Sequence, residues 1–333
     1  MKSMKKMVLV GLVLLASVMV LVGCENATVS GVQEVAKFTL ESEGIFRNGQ
    51  LLENTSEVPV ITKPVDLESL YVEDHSSLVF ISGRTGVIQS FVMGQYEVTQ
   101  ELYEAVMGTN PSYFQKDAAD KEIQKLRPVE NVSWYDAVVF CNKLSILIGL
   151  EPVYRKGGQT NPAKWGMIPE TKNKDWDAIT CNWDANGYRL PTEIEWELAV
   201  RGGDPTQVAW NCSYAGSNEP NEVAWNESNS ESKSHQVGTL APNSLGLYDM
   251  SGNVEEWCWD LFDYNLDSLE KISIYGIDMD LNGSYVGVFR SYRGGSWKQN
   301  KSVESRKWST QAPAIRYFST GFRVVRTVIS TTE

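Results

Sequence analysis

The stretch Asn186-Gly187-Tyr188-Arg189-Leu190-Pro191-Thr192-Glu193-Ile194-Glu195 encodes a turn, a partner for a buried charge and a helix start in succession. Asn-Gly suits a tight turn that needs positive φ. Arg189 stands just before a helix, and its fixed fork of donors suits a buried carboxylate. After Pro191, Thr192 and Glu195 make a capping box, in which side chains and backbone bond reciprocally at the helix N-terminus. Ile194, Trp196, Leu198 and Ala199 supply the apolar face, and Gly202-Gly203 ends the run.

Two more helices lie upstream. Thr99 is placed to cap Gln100 to Met107, which Gly108 and Asn110-Pro111 stop. Ser133-Trp134-Tyr135-Asp136 puts a cap oxygen and an early carboxylate before the stripe Ala137, Phe140, Cys141, Leu144 and Ile148, which stops at Gly149. Such stripes are core faces. The expected strands are short: Val79 to Ile81, Val208 to Trp210 and Phe322 to Val328. Residues 211–236 are rich in Asn, Ser and Glu without a period, which reads as a long surface loop. Eleven Trp and fourteen Tyr can bury much area with little regular structure. The expected fold class is therefore α+β: one irregular domain with few short strands, about three helices and no internal repeat.

A net charge of −12 argues against a nucleic-acid partner, because an acidic surface does not neutralise phosphates. The first residues are expected to form a leader. Lys2, Lys5 and Lys6 precede the apolar run Met7 to Val22, broken only by Gly11 and Ser17 and ended by Gly23-Cys24. The run falls short of the roughly 20 residues a membrane span needs. A small residue directly before Cys resembles a bacterial lipoprotein signal, which makes Cys24 the expected acylated N-terminus and the lipid the expected link to a membrane. Glu25 in place of Asp favours the outer membrane. The expected layout is a signal peptide over 1–23, a tether and N-terminal extension over 24–77, and a domain over 78–328.

Cys141, Cys181, Cys212 and Cys258 remain. An exported chain can pair such residues, but their spacings fit neither a zinc ribbon nor a CxxC motif. Cys141, on a helix among apolar residues, is expected as a buried free thiol. The two histidines, His75 and His235, lie far apart in sequence and argue against a His-based metal or catalytic cluster.

Five runs, taken in order, resemble the formylglycine-generating enzyme (sulfatase-modifying factor) family. They are Gln95-Tyr96-Glu97-Val98-Thr99, Arg127-Pro128-Val129-Glu130-Asn131-Val132-Ser133-Trp134, Asn186 to Glu193, Gly246-Leu247-Tyr248-Asp249-Met250-Ser251-Gly252-Asn253-Val254-Glu255-Glu256-Trp257, and a cassette framed by Arg293-Gly294-Gly295-Ser296-Trp297 and Gly321-Phe322-Arg323. The resemblance covers roughly residues 78–328 and implies a C-type-lectin-like fold. It also implies a structural calcium ion, held by side chains of Asp249 and Glu256 and by carbonyls of Gly252 and Val254. Hard oxygens of this kind suit calcium.

The family's oxidation of a sulfatase cysteine uses a cysteine pair inside the cassette, which binds copper or forms a disulfide. Here the corresponding positions fall on Ser305 and near Gln299 or Asn300, and no Cys follows Cys258. A hydroxyl does not replace a thiolate in redox chemistry, so copper and catalysis are not expected. The ergothioneine-forming relatives need a His-rich iron site that two scattered histidines do not supply. Non-enzymatic members of the family include the variable proteins of diversity-generating retroelements, in which adenine-directed mutagenesis rewrites cassette surface positions within a constant frame. This chain resembles them.

By that resemblance the ligand contacts lie in a variable cassette over 298–320: Ser302, Val303, Ser305, Trp308, Thr310, Ala314, Ile315, Tyr317, Phe318, Ser319 and Thr320. Trp308, Tyr317 and Phe318 are candidate anchors, with a core role open as the alternative for each. The function expected is a non-catalytic, surface-displayed lipoprotein that binds a protein or glycan ligand, on a host or a neighbouring cell. An invariant accessory lipoprotein of the same fold, or a formylglycine-generating-type oxidase, are the alternatives.

Overall fold

The computed structural model describes residues 46–47, 50–51, 91–203, 207–262, 289–303 and 310–327. Phe46–Arg47 (β1) and Gln50–Leu51 (β2) pair as a short hairpin. Phe91–Met93 (β3) leads into helices Gln100–Met107 (α1) and Trp134–Leu147 (α2). Strand Tyr154–Arg155 (β4), helix Lys174–Asp177 (α3) and strands Thr180–Cys181 (β5) and Tyr188–Arg189 (β6) follow, before helix Glu193–Val200 (α4). The second half holds helix Pro220–Val223 (α5) and strands Ala224–Trp225 (β7), Ser251–Gly252 (β8), Glu255–Phe262 (β9), Phe289–Arg293 (β10), Thr310–Gln311 (β11), Thr320–Gly321 (β12) and Val325–Thr327 (β13). Among the described residues no helix is long and apolar enough to cross a membrane.

The three expected helix starts carry the caps their sequences encode. Thr99 accepts from the Leu102 amide, and Ser133 with Asp136 and Thr192 with Glu195 form complete capping boxes. Each such cap stabilises its helix by about 1 kcal/mol. Arg189 meets a buried carboxylate as expected: its guanidinium donates to both Glu195 oxygens at 2.7 and 2.6 Å. The same Glu195 closes the capping box, so one carboxylate joins β6 to α4.

β9 organises the interior. Alternate strand residues face opposite sides, and here Trp257 and Trp259 enter one apolar cluster while Cys258 enters another. The first cluster contains α2, which is buried without a break from Trp134 to Asn142. The Trp134 and Trp257 indoles tie α2 to β9 through the Cys258 and Val132 carbonyls, each at 3.0 Å. The second cluster joins Phe91, Met93, Trp196, Leu198, Met250, Val303 and Val325. β9 sits in a sheet of order β11-β10-β9-β12, and β12 pairs with it in parallel. A second sheet, β3-β13-β6, brings the last described strand, β13, against β3, with Val325 opposite Met93.

Four expectations need correction. Val208 to Trp210 is not a strand; Val208–Asn211 is a 3-10 turn, with Trp210 buried beneath the Arg201 guanidinium. Phe322 to Val328 is not one strand. Its start follows β12 off β9, and its end runs as β13 in the other sheet. Residues 211–236 are not a surface loop throughout. They contain α5 and β7, and Asn226, Ser230, Ser234, His235 and Gln236 are buried. Gly187 does not adopt positive φ. It is required by close approach instead, because a Cβ there would stand 2.3 Å from the Glu151 carbonyl oxygen and 2.7 Å from Ser145 Oγ. The expected strand Val79 to Ile81 lies outside the described residues.

Candidate functional site

The cassette is held by buried arginines at both ends. Arg293 ends β10 and pairs with Glu197 of α4, which also receives Arg201 Nε at 2.7 Å. Gly294 and Gly295, at φ 92° and 73°, then turn the chain through a region open mainly to glycine. Trp297 follows, with its amide donating to the Asn253 carbonyl at 2.8 Å and its carbonyl accepting from Ser230 Oγ at 2.6 Å. At the far end Arg323 is fully buried and donates to both Glu256 oxygens at 2.7 and 2.6 Å. It also reaches the Gly94 and Tyr248 carbonyls at 2.9 and 2.8 Å.

Between these ends the cassette lies across the start of α2. The Asn131 amide donates to the Tyr317 carbonyl at 2.9 Å, and the Trp134 amide to the Pro313 carbonyl at 3.0 Å. Arg316 donates to both oxygens of Asp136, the carboxylate that caps α2. On the outer side Tyr317 stacks on Phe318 at 4.6 Å, and Phe318 lies 5.7 Å from Trp297. Lys298 Nζ stands 3.9 Å from the centre of the Tyr317 ring.

The expected ligand contacts divide by burial. Ile315 and Tyr317 are exposed, 41% and 39%, and Ser302, Thr310 and Phe318 are half-buried. Val303, Ala314, Ser319 and Thr320 are corrected from surface contacts to interior residues. Val303 belongs to the second core cluster, and Ala314 to the first. The Ser319 carbonyl accepts from the Glu255 amide, and Thr320 is in β12 beside β9. Ser305 and Trp308, like the lipidation candidate Cys24, lie outside the described residues.

Sequence reading missed a second segment that borders the cassette. Tyr113, 69% exposed, and Phe114 lie 5.5 and 6.5 Å from the Phe318 ring, and Phe114 lies 5.4 Å from Trp297. Glu130 fixes this segment by accepting from the Tyr113 and Phe114 amides at 3.0 and 2.9 Å. Burial raises the Glu130 carboxyl to about 7, against the pull of those two amides. Gln100 and Gln124 both donate to the Phe114 carbonyl, and Arg127 to the Lys116 carbonyl. No local sequence pattern marks Tyr113; only its contacts some 200 residues along the chain do.

At the four residues of the expected calcium site, protein donors already occupy most of the carboxylate oxygens. Both Glu256 oxygens are filled by Arg323, and Trp196 Nε1 adds a third bond at 2.8 Å. Asp249 Oδ2 accepts from the Gly238 amide at 2.7 Å, and only its buried Oδ1 is without a partner. Gly252 and Val254 stand on either side of Asn253, whose side chain donates to Glu97. Among the described residues no group of three or more His, Cys, Asp or Glu side chains is arranged to hold a metal. What does gather is negative charge: burial, then Asp249 and Glu256, push the Glu97 carboxyl well up, and burial raises Asp249 to about 6.

The described thiols are free. Cys141 is buried, as expected, and burial pushes its thiol far up. Burial likewise raises Cys181 to about 12, and Cys258, inside β9, well above the ordinary range. Such thiols resist forming the thiolate that redox chemistry needs. His235 is buried against Glu122 and the Ser230 carbonyl, both at 2.8 Å, and stacks on Trp225.

Similarity to known proteins agrees with this architecture. Treponema denticola variable protein 1 is 39% identical, with a TM-score of 0.60, over 72% of this chain and 85% of that one. The chaperone protein LppX of Paenibacillus barcinonensis is 40% identical over 54% of this chain and 65% of its own length. The formylglycine-generating enzyme of Thermomonospora curvata is 31% identical over 36% of this chain and 42% of its own. The inactive C-alpha-formylglycine-generating enzyme 2 of Bos taurus is 39% identical over 23% of this chain and 27% of its own. The chain thus spans less than two thirds of the length of each of these curated relatives. The sulfatase-modifying factor enzyme 1-like domain matches residues 72–328, most of the chain, and the chain belongs to that family.

Proposed function

We propose that the chain is a non-catalytic, lipid-anchored surface protein that binds a ligand through the outer side of the cassette 298–320. The observation that carries this reading is a division of labour within the cassette. Ile315 and Tyr317 expose their side chains and Phe318 lies half-buried beside them, while the carbonyls of Pro313, Tyr317 and Ser319 hold the backbone to the domain. Loop side chains on such a rigid scaffold can change without loss of fold, and aromatic ones offer contact area at low entropy cost. Similarity to a variable protein over most of both chains supports the same reading. The missing cassette cysteines and the raised pKa values of Cys141, Cys181 and Cys258 support the absence of catalysis.

Sequencing the locus in related strains tests diversification. Differences are expected at adenine positions of codons for Ser302, Thr310, Ile315, Tyr317 and Phe318, with Val303, Ala314, Ser319 and Thr320 spared as interior residues. Differences scattered evenly along the domain, or a cassette fixed in every strain, refute it. For catalysis, the purified chain is incubated with a sulfatase-type cysteine peptide, copper and oxygen, and aldehyde formation overturns the reading.

A further inference from the structure

The outer side of the cassette does not end at the cassette. Tyr113, its ring mostly in solvent, packs against Phe318. It comes from a segment between α1 and α2, held through its backbone by Glu130, Gln100, Gln124 and Arg127. Lys298 lies over the Tyr317 and Phe318 rings at 3.9 and 5.1 Å and forms no ion pair with any carboxylate among the described residues. A cation with no counter-charge among the described residues stands out on a chain of net charge −12. Three polar side chains of the adjoining segments are already bonded inward. Gln115 donates to the Asn110 and Ser112 carbonyls, Asn131 to the Pro111 carbonyl, and Arg316 is committed to Asp136.

We propose that Tyr113 and Phe114 form a constant wall beside Tyr317 and Phe318, and that the joint face takes an acidic polypeptide segment whose apolar side chains meet the rings and whose carboxylate meets Lys298. This rests on the cassette being the binding surface. A sugar would need several free donors and acceptors around the rings, and the Gln115 and Asn131 amides and the Arg316 guanidinium are engaged elsewhere. Ring faces plus one ammonium match apolar side chains beside a carboxylate. The wall also gives a changing cassette a fixed partner: each new side chain at 317 or 318 would be presented against the same Tyr113 ring.

The test uses the full chain in detergent and three sets of synthetic twelve-residue peptides: Glu/Leu/Phe, Lys/Leu/Phe and Glu/Ser. A set of soluble oligosaccharides runs in parallel. Binding of the Glu/Leu/Phe set only is expected, with at least tenfold loss in Tyr113→Ala and in Lys298→Glu. Tyr113→Phe and the remote, exposed Met167→Ala should bind as the parent does. Lys298→Glu should gain affinity for the Lys/Leu/Phe set. If Tyr317→Ala loses binding and Tyr113→Ala does not, the wall is refuted while the cassette reading stands. If neither loses binding, the cassette reading itself fails. Binding of oligosaccharides alone, or of no peptide set, overturns the partner assigned. Unfolding temperatures matching the parent exclude misfolding as the cause of any loss.

Discussion

Arg323→Met tests whether the cassette's far anchor is held by buried charge. The guanidinium is fully buried, as is Glu256, and they meet through two bonds at 2.7 and 2.6 Å. Removing the cation leaves Glu256 uncompensated in a region that also holds Glu97 and Asp249. Breaking a buried pair from one side costs about 3–5 kcal/mol. The Gly94 and Tyr248 carbonyls lose their charged donor as well, and unsatisfied buried acceptors cost about 1–3 kcal/mol each. Because some of this overlaps, we expect a loss of about 5 kcal/mol. For a domain of this size that lowers Tm by roughly 10–20 °C. The assay is urea unfolding followed by circular dichroism, with the midpoint compared at unchanged slope. Arg323→Met/Glu256→Gln should recover about half of the loss, since it removes the stranded charge but not the carbonyl bonds. A single variant within about 1 kcal/mol of the parent, or a double variant no more stable than the single, refutes the reasoning.

Three further outcomes follow from the same contacts. Removing calcium with a chelator should move Tm by less than about 1 °C, whereas an ion bound at a hundred times its Kd would add about 2.7 kcal/mol; a calcium-dependent rise of several degrees would show Glu256 leaving Arg323 for a metal. The raised carboxyl of Glu130 binds its proton more tightly folded than unfolded, so its stabilisation is complete below the ordinary carboxylate range and is lost as pH rises towards about 7. Glu130→Gln should remove that share of the pH dependence, leaving the shares of Asp249 and Asp260; identical Tm-against-pH curves would refute it. Gly187→Ala should cost about 1–3 kcal/mol through overpacking against Glu151 and Ser145, read by the same urea midpoint, and a neutral result would mean the chain there yields easily.

What could be read from sequence was local. Thr99, Ser133 and Thr192 marked helix starts because a cap is a bond between residues two or three positions apart. Arg189 before Thr192 was legible for the same reason, its carboxylate partner being six residues away. Val208-Ala209-Trp210 was too short to carry a period, and Trp210 is buried in a turn, not a strand. The polar run 211–236 misled because composition does not tell a solvated polar residue from one bonded inward. Asn226 donates to Asn221 in its own loop, and Ser230 donates to Trp297, 67 residues on. Gly187 was identified as special but for the wrong reason, since the Glu151 and Ser145 atoms that crowd it come from other parts of the chain. The same limit hid Tyr113 and Phe114, and hid the fact that Arg323 fills the carboxylate expected to bind calcium.

How a loop can alter its side chains and keep its shape depends on which atoms hold it. In the cassette the holding atoms are mostly carbonyl oxygens. Pro313 accepts from Trp134, Tyr317 from Asn131 and Thr320, and Ser319 from Glu255. The Trp297 indole reaches the Phe318 carbonyl at 3.5 Å. Every residue type has a backbone carbonyl, so these bonds do not depend on what stands at 317 or 318. Some side chains hold as well: Lys301 and Thr320 reach Glu255, and Arg316 reaches Asp136, which simultaneously caps α2. Change at 316 therefore reaches the helix start, while change at 315 and 317 falls on side chains that are 41% and 39% exposed. The frame glycines, the buried arginines and Arg316 form a scaffold specified by sequence, and the outward positions between them are specified by backbone alone. That separation is what a binding surface needs if it is to be rewritten while the domain stays folded.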